Sequence, residues 1–546
     1  MQKNIDWWRG AVIYQVYPRS FFDSNNDGIG DLPGVTEKLP YIASLGVDGI
    51  WLSPFFKSPM KDFGYDVSDY RAVDPMFGHL DDFKELLEKA HQLGLKILID
   101  QVLSHTSDQH AWFKESRQNK TNPKADWYVW ADAKPDGSPP NNWLSLFGGS
   151  AWQWDSRRHQ YYLHNFLASQ PDLNFHNEAV QQQILEEVKF WLDLGVDGFR
   201  LDTVNFYVHS KNLEDNPPLP KGAKKSLGVR PDNPYSFQRH VYDICQPENV
   251  DFIVRLRQLL DHYPGTTTVG EIGADDTLQV MADYTSGGNK LHMAYTFDLL
   301  NPQHDAAYIR QVISQLEGQI GDGWPCWALS NHDTVRSVTR WGEGHPAQAF
   351  AQVSLAMLMS MRGSVCLYQG EELGLPEADV PFDAIQDPYG IPFWPEFKGR
   401  DGCRTPIPWR QSAINAGFSQ AKPWLPVVEQ HRPLAVSEQI VNPNSCYQFI
   451  RQFIQWRQQQ PALRTGTIEL IENTGEALVW WRHHSEQKLL VAVNLTADTL
   501  TIPFTDISEE QSAINVEELT GHGFNGQYEN GLIVLPPYQA FFGQLF

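Results

Sequence analysis

Eight short apolar runs, alternating with segments of helical periodicity, constrain this chain more than any other feature. They are residues 11–18, 46–54, 95–105, 196–204, 267–272, 292–299, 325–333 and 364–373. Amphipathic stretches such as 34–45 and 80–93 each lead through a glycine-containing turn into the next run. Strands joined through helices pair in parallel, because a crossover helix returns the chain to the end where the previous strand began. Eight such units predict a closed (β/α)8 barrel of the TIM type, with chemistry at the C-terminal ends of its strands.

At 546 residues the chain is longer than one ordinary core, and two intervals break the rhythm. Residues 104–171 are rich in Trp, Asn, Pro and Gly and carry turn signals, which predicts a small inserted domain after strand three. A Pro-rich piece at about 375–445 predicts an irregular lobe after strand eight. A helix is expected at 446–460, and the alternating pattern beyond it predicts an antiparallel β domain at 467–546. The barrel then comprises 1–103 and 172–466.

A net charge of -23 argues against nucleic acid and anionic membranes as partners and fits a small neutral substrate. The five cysteines form neither CxxC pairs nor a dense framework, and no apolar stretch is long enough to cross a bilayer. A cytoplasmic protein, monomeric or a small homo-oligomer, is expected.

After the first run come Asp23, Asn25, Asp27, Ile29 and Asp31, spaced two apart around Gly28. Alternate oxygen ligands around a turn glycine resemble the first part of a calcium loop, with Ile29 giving its backbone carbonyl. Position twelve, where a complete loop places Glu, is Gly34. The expectation is one structural calcium or magnesium ion in a cage completed by water, the alternative a plain Asx-turn loop.

Polar residues collect at the C-terminal ends of the runs: Asp100 and His105, Arg200 and Asp202, Glu271, then Asn331, His332 and Asp333. Side chains two apart on a strand share a face, so Arg200 should hold Asp202 ionised, as a nucleophile requires. A buried structural ion pair is the alternative for that stretch alone. Neighbouring strands lie about 4.8 Å apart, which lets Asp202 and Glu271 approach to the separation of about 5 to 5.5 Å used by retaining glycosidases. Glu271 has no cationic neighbour in sequence and should keep its proton, as a general acid needs. No HxxxH pair suggests a catalytic metal, and no cofactor for catalysis is expected.

Asp100-Gln-Val-Leu-Ser-His105, Gly198-Phe-Arg-Leu-Asp202, Gly270-Glu271 and Ser330-Asn-His-Asp333, in this order and spacing, resemble the four signature segments of the α-amylase family of glycoside hydrolases. Gly46 to Pro54, Gln170 to Phe175 and Gln369 to Gly374 match further segments, and the chain is most similar to the α-glucosidase and oligo-1,6-glucosidase branch. The resemblance implies a catalytic triad of Asp202, Glu271 and Asp333, with Arg200, His105 and His332 as positioning groups. It implies that Asp62, Tyr65 and Arg400 grip and stack on a terminal glucose, and that Thr203 favours α-1,4 over α-1,6 bonds. Phe147 and Phe166 are expected in the pocket wall. The implied activity is a retaining, exo-acting α-glucosidase on short α-glucosides. Sucrose or maltose isomerases and transglucosylases share its intermediate, and related non-enzymatic sugar-binding or transport-associated barrels have lost the triad.

Overall fold

The computed structural model describes residues 5–545 apart from 224, 226, 227, 473 and 505–515. Eight parallel strands build the central sheet: β1 (Val12–Val16), β2 (Gly49–Leu52), β3 (Lys96–Gln101), β4 (Gly198–Leu201), β5 (Thr267–Ile272), β6 (Met293–Thr296), β7 (Cys326–Ala328) and β8 (Ser364–Tyr368). They pair in the order β6-β5-β4-β3-β2-β1-β8-β7. A parallel bridge between Ala294 and Pro325 brings the two edges together, so the sheet forms the nearly closed barrel expected from the eight runs. Helices α1 (Leu32–Ser44), α2 (Leu80–Gln92), α3 (Glu178–Leu194), α4 (Glu248–Leu260), α5 (Thr277–Thr285), α6 (Ala306–Ile320) and α7 (Ala347–Ser360) follow β1 to β7 in turn, and α8 (Cys446–Arg457) follows the lobe after β8.

Most strands are shorter than the apolar runs and end before the runs do. Asp202, His105 and Asp333 therefore sit on the turns beyond their strands. Along each strand the side chains alternate between two environments. Val12 and Tyr14 of β1 pack outward under the helices, whereas Ile13 lies inside the barrel with Trp51, Leu98, Val269, Met293 and Cys366. Two residues further along, the same inward columns carry polar groups: Gln15, Asp100, Glu271 and Tyr295. The dry lower layers hold the strands in place, and the upper layer is left for chemistry.

The insertion after β3 holds a three-stranded antiparallel sheet of Trp130–Ala131, Gln160–Leu163 and Trp152–Asp155. The lobe after β8 is built of short 3-10 turns. Among the described residues the C-terminal part forms two antiparallel sheets, one of five strands and one of three. A third irregular stretch, between β4 and α4, was not anticipated, since its few apolar residues show neither period. Among the described residues no helix is long and apolar enough to cross a membrane.

At Gly198 an added Cβ would lie 2.2 Å from the Thr267 carbonyl oxygen, so β4 and β5 approach here only because the side chain is absent. Gly198→Ala is expected to push the two strands apart at a cost of about 1 to 3 kcal/mol. The melting temperature should fall, and turnover with it, since these strands carry Arg200 and Glu271. An unchanged melting temperature would show that the strands relax freely.

Candidate active site

A cavity opens at the C-terminal rim of the barrel, lined by Asp202, Glu271, Asp333, Asp62, Tyr65, His105, Phe147, Phe166, Thr203 and Arg400, while Asp100, Asn331, Arg200 and His332 lie outside its lining. The site turns on Arg200 and His332. Those two are fully buried beneath it and act on the cavity through other side chains. Arg200 is the centre of the lower layer. Its Nη1 donates to Asp100 Oδ1 at 2.8 Å and to Asp202 Oδ1 at 2.7 Å, and its Nη2 lies 2.6 Å from Glu271 Oε2. Glu271 thus has a cationic neighbour after all. It comes from the adjacent strand, which local sequence does not reveal.

One guanidinium shared by three buried carboxylates cannot hold them all in the ordinary range. Burial raises Asp202 to about 7 against the pull of Arg200, and Glu271 to about 7 for the same reason, with Asp202 and Asp333 adding to the rise. Arg200, expected to hold Asp202 ionised, does pull its pKa down, but burial outweighs that pull and the cluster retains protons near neutrality. Asp100 is the best satisfied member, accepting also from Trp51 Nε1 at 3.0 Å and the Tyr65 hydroxyl at 3.0 Å.

Asp333 lies in a second cationic cluster. Arg404 Nη2 is 2.8 Å and Arg400 Nη1 3.0 Å from its Oδ1, and His332 Nε2 is 3.1 Å from Oδ2. Burial opposes its ionisation, but His332, Arg400 and Arg404 outweigh it and hold Asp333 well below the usual carboxylate range. Burial itself lowers His332 to about 3, so the ring is neutral and the guanidiniums carry the effect. Gln15 Nε2 donates to His332 Nδ1 at 2.9 Å, which leaves the ring proton on Nε2, 2.5 Å from the Tyr65 hydroxyl. Arg400 also bonds Asp62 at 2.8 Å and is held by Asp387 through Nε at 3.1 Å and Nη2 at 2.8 Å. The Arg400–Asp62 pair spans the cavity from the lobe to the loop after β2.

Thr203, directly after Asp202, adopts φ 40 and ψ 51, a left-handed conformation that is costly for a β-branched residue. The turn aims its N–H at Glu271 Oε2 at 3.2 Å and its hydroxyl at Asp202 Oδ2 at 3.3 Å, so one residue bridges both carboxylates. His105 is neutral, lowered to about 4 by burial, and its Nε2 lies 3.0 Å from the Tyr65 carbonyl. Phe147 and Phe166 meet edge to face at 6.2 Å on the cavity wall.

Sequence reasoning missed Arg404, Asp387 and Tyr295. Arg404 and Asp387 lie in the irregular lobe, where no periodicity marks them. Tyr295 was legible only as an inward position two residues after Met293. It also missed the wall contributed between β4 and α4, including Phe206, Tyr235 and Ile244.

The loop 23–31 lies on the turn after β1. Asp23 accepts the N–H groups of Asn26 at 2.7 Å and Gly28 at 2.8 Å, while Asn25 Oδ1 and Asp27 Oδ1 each accept an N–H two residues on, at 2.9 Å. Asp31 caps α1 through Gly34 N–H and also binds Ser24. Among the described residues no group of three or more His, Cys, Asp or Glu side chains is placed to hold a metal on its own, so an ion here would also need the Asn25 and Ile29 oxygens and water.

Arg400→Met leaves Asp62, Asp333 and Asp387 without their shared cation, and is expected to cost about 3 to 5 kcal/mol of stability near pH 7. Asp333 and Asp387, whose pKa values Arg400 helps to depress, contribute stability above their unfolded pKa that is lost on acidification. Orphaned in the variant, they take up protons at higher pH, so the penalty should shrink toward pH 5. A drop in melting temperature that is independent of pH would contradict this electrostatic account.

The family described as alpha amylase, catalytic domain, matches residues 15–466. Among similar relatives, the probable alpha-glucosidase of Rhizobium meliloti (strain 1021) is 51% identical over 548 positions, covering 100% of this chain and 98% of that protein. The oligo-1,6-glucosidase of Heyndrickxia coagulans is 37% identical, covering 92% and 94%. A crystal structure of the alpha-glucosyl transfer enzyme XgtA superposes with a TM-score of 0.96 at 56% identity, over 99% of both chains. The fold, the four signature segments and these matches place the chain in the α-amylase family of glycoside hydrolases, of which it is a member.

Proposed function

We propose that the protein is a retaining α-glucosidase that removes one glucose from the non-reducing end of short α-glucosides. The observation that carries the reading is that Asp202, just beyond β4, and Glu271 on the adjacent β5 face one cavity and share Arg200. In this reading Asp202 is the nucleophile and Glu271 the acid/base. Arg200 makes its hydrogen bond to Asp202, whereas its approach to Glu271 is a charge contact, which favours the negative charge on Asp202 and the retained proton on Glu271. Asp202 attacks the anomeric carbon while Glu271 protonates the leaving oxygen. The β-glucosyl ester is then opened by water, whose proton returns to Glu271, and α-glucose is released.

Exo action is supported by the Arg400–Asp62 pair, which closes the cavity beyond the first sugar. Asp333, held ionised, is suited to grip sugar hydroxyls and to stabilise positive charge at the ring, with Tyr65 linked to it through His332. The substrate class is small and neutral, and α-1,4 bonds are preferred because Thr203, rather than Val, borders the leaving group. Similarity to an alpha-glucosyl transfer enzyme favours a second outcome from the same intermediate, transfer of glucose to an alcohol instead of water. The cytoplasm is the proposed compartment, supported by five free thiols.

Early-time NMR on a panel of α-glucosides tests the reading. The first product should be α-glucose, with maltose consumed faster than isomaltose and long starch chains left uncut internally. Initial β-glucose, or a preference for isomaltose, would overturn the mechanism or the linkage assignment respectively.

The loop 23–31 is proposed to take one calcium or magnesium ion, held by Asp23, Asn25, Asp27, the Ile29 carbonyl and Asp31. An ion that binds only the folded chain adds stability without entering the reaction. Chelation should therefore lower the melting temperature and leave turnover in the cold nearly unchanged. Immediate loss of cold activity would argue against a purely structural ion.

A further inference from the structure

We infer that Tyr295 of β6 positions the proton of Glu271, keeping it on Oε2, the oxygen that can turn toward the leaving group. The inference rests on the proposed role of Glu271 as the acid. The Tyr295 hydroxyl lies 2.9 Å from Glu271 Oε1. It receives two N–H groups of Arg200, from Nε at 3.2 Å and from Nη2 at 2.8 Å. A phenol oxygen has one proton and two lone pairs to accept with. Arg200 occupies both lone pairs, so the proton goes to Glu271 Oε1. Tyr295 is buried, and burial keeps its hydroxyl protonated throughout the working range.

An oxygen that accepts this bond cannot send a proton of its own back to Tyr295, which has no lone pair left. The proton of Glu271 therefore belongs on Oε2. In the structure Oε2 faces Arg200 Nη2 at 2.6 Å and Thr203 N at 3.2 Å, surroundings that suit a carboxylate. Once protonated, Oε2 is repelled by these donors and swings to the cavity about the Oε1–Tyr295 bond. In the first half-reaction the Oε2–H bond breaks and a new O–H bond forms on the leaving oxygen. Glu271 is then ionised and returns to Arg200 and Thr203. In the second half-reaction it takes a proton from the attacking water. The Tyr295 bond is present in both states and serves as the pivot.

Strand pairing sets this contact, because Glu271 and Tyr295 are partners in the β5–β6 register and the Tyr295 ring packs 6.1 Å from Trp51. Tyr295→Phe keeps the ring and removes only the hydroxyl. For maltose, whose leaving group needs a proton, kcat/KM is expected to fall by about 10- to 100-fold. For α-glucosyl fluoride, whose leaving group needs little protonation, the fall should stay below about threefold. The alkaline limb of the maltose pH profile should move upward, because the lost bond favoured the carboxylate.

Glu271→Gln on the same two substrates separates the two claims. If it loses maltose and fluoride activity equally, the acid assignment fails and the role of Tyr295 with it. If Glu271→Gln discriminates but Tyr295→Phe lowers both substrates equally, or leaves maltose unchanged, only the role of Tyr295 is overturned. Retained fluoride activity reports a folded site. Should Tyr295→Phe fail to fold, the alkaline limb of Tyr295→His decides in the same way: a shift supports the inference and an unshifted limb overturns it.

Discussion

A single buried cation, the guanidinium of Arg200, is the interaction on which the site depends. Charges removed from water cost several kcal/mol each unless they are paired, and Arg200 offsets that cost for Asp100, Asp202 and Glu271 together. Its planar fork sets where each carboxylate lies. Because the cation is shared, none of the three is fully neutralised, and Asp202 and Glu271 both titrate near neutrality. A barrel suits this arrangement because inward residues of neighbouring strands meet at staggered levels: Arg200 is level with Asp100, and Glu271, one step higher, with Tyr295. Asp100, Arg200, Glu271 and Tyr295 come from four consecutive strands.

A second cation extends the network across the cavity. Arg400 joins Asp62, Asp333 and Asp387, and Arg404 adds to the field around Asp333. The two clusters are connected through Asp100, the Tyr65 hydroxyl and His332, each in contact with the next. Asp333 sits against two guanidiniums and stays ionised, whereas Asp202 and Glu271 divide one between them. Three carboxylates in one cavity thus acquire different protonation behaviour from the number of cations each can reach. In the proposed mechanism Asp333 grips the sugar, Asp202 attacks and Glu271 carries the proton.

Much of the fold was legible because it rests on period. The eight runs and the antiparallel C-terminal domain correspond to elements of the structure, since apolar spacing reports which faces must leave water. The wall between β4 and α4 was not legible, because its apolar residues follow neither a helical nor a strand period. The same holds for Arg404 and Asp387, which act through long-range contacts of an irregular lobe. The pairing of Arg200 with Glu271 crosses between strands, and no local reading of residues 196–204 contains it.

The sequence by itself determined the barrel and the placement of Asp202, Glu271 and Asp333 at the C-terminal ends of its strands, while the catalytic role expected of the three came from the family resemblance. The barrel and that placement follow from alternation within a strand and from charges placed where packing does not want them. Only the tertiary structure decided how the charges are shared: that Arg200 and His332 lie under the cavity instead of in it, that Thr203 bridges two carboxylates from a left-handed turn, and that Tyr295 has one acceptor for its proton. The physical reason is that a pKa or a hydrogen-bond direction depends on every group within a few ångströms, and those groups come from different strands and from the lobe.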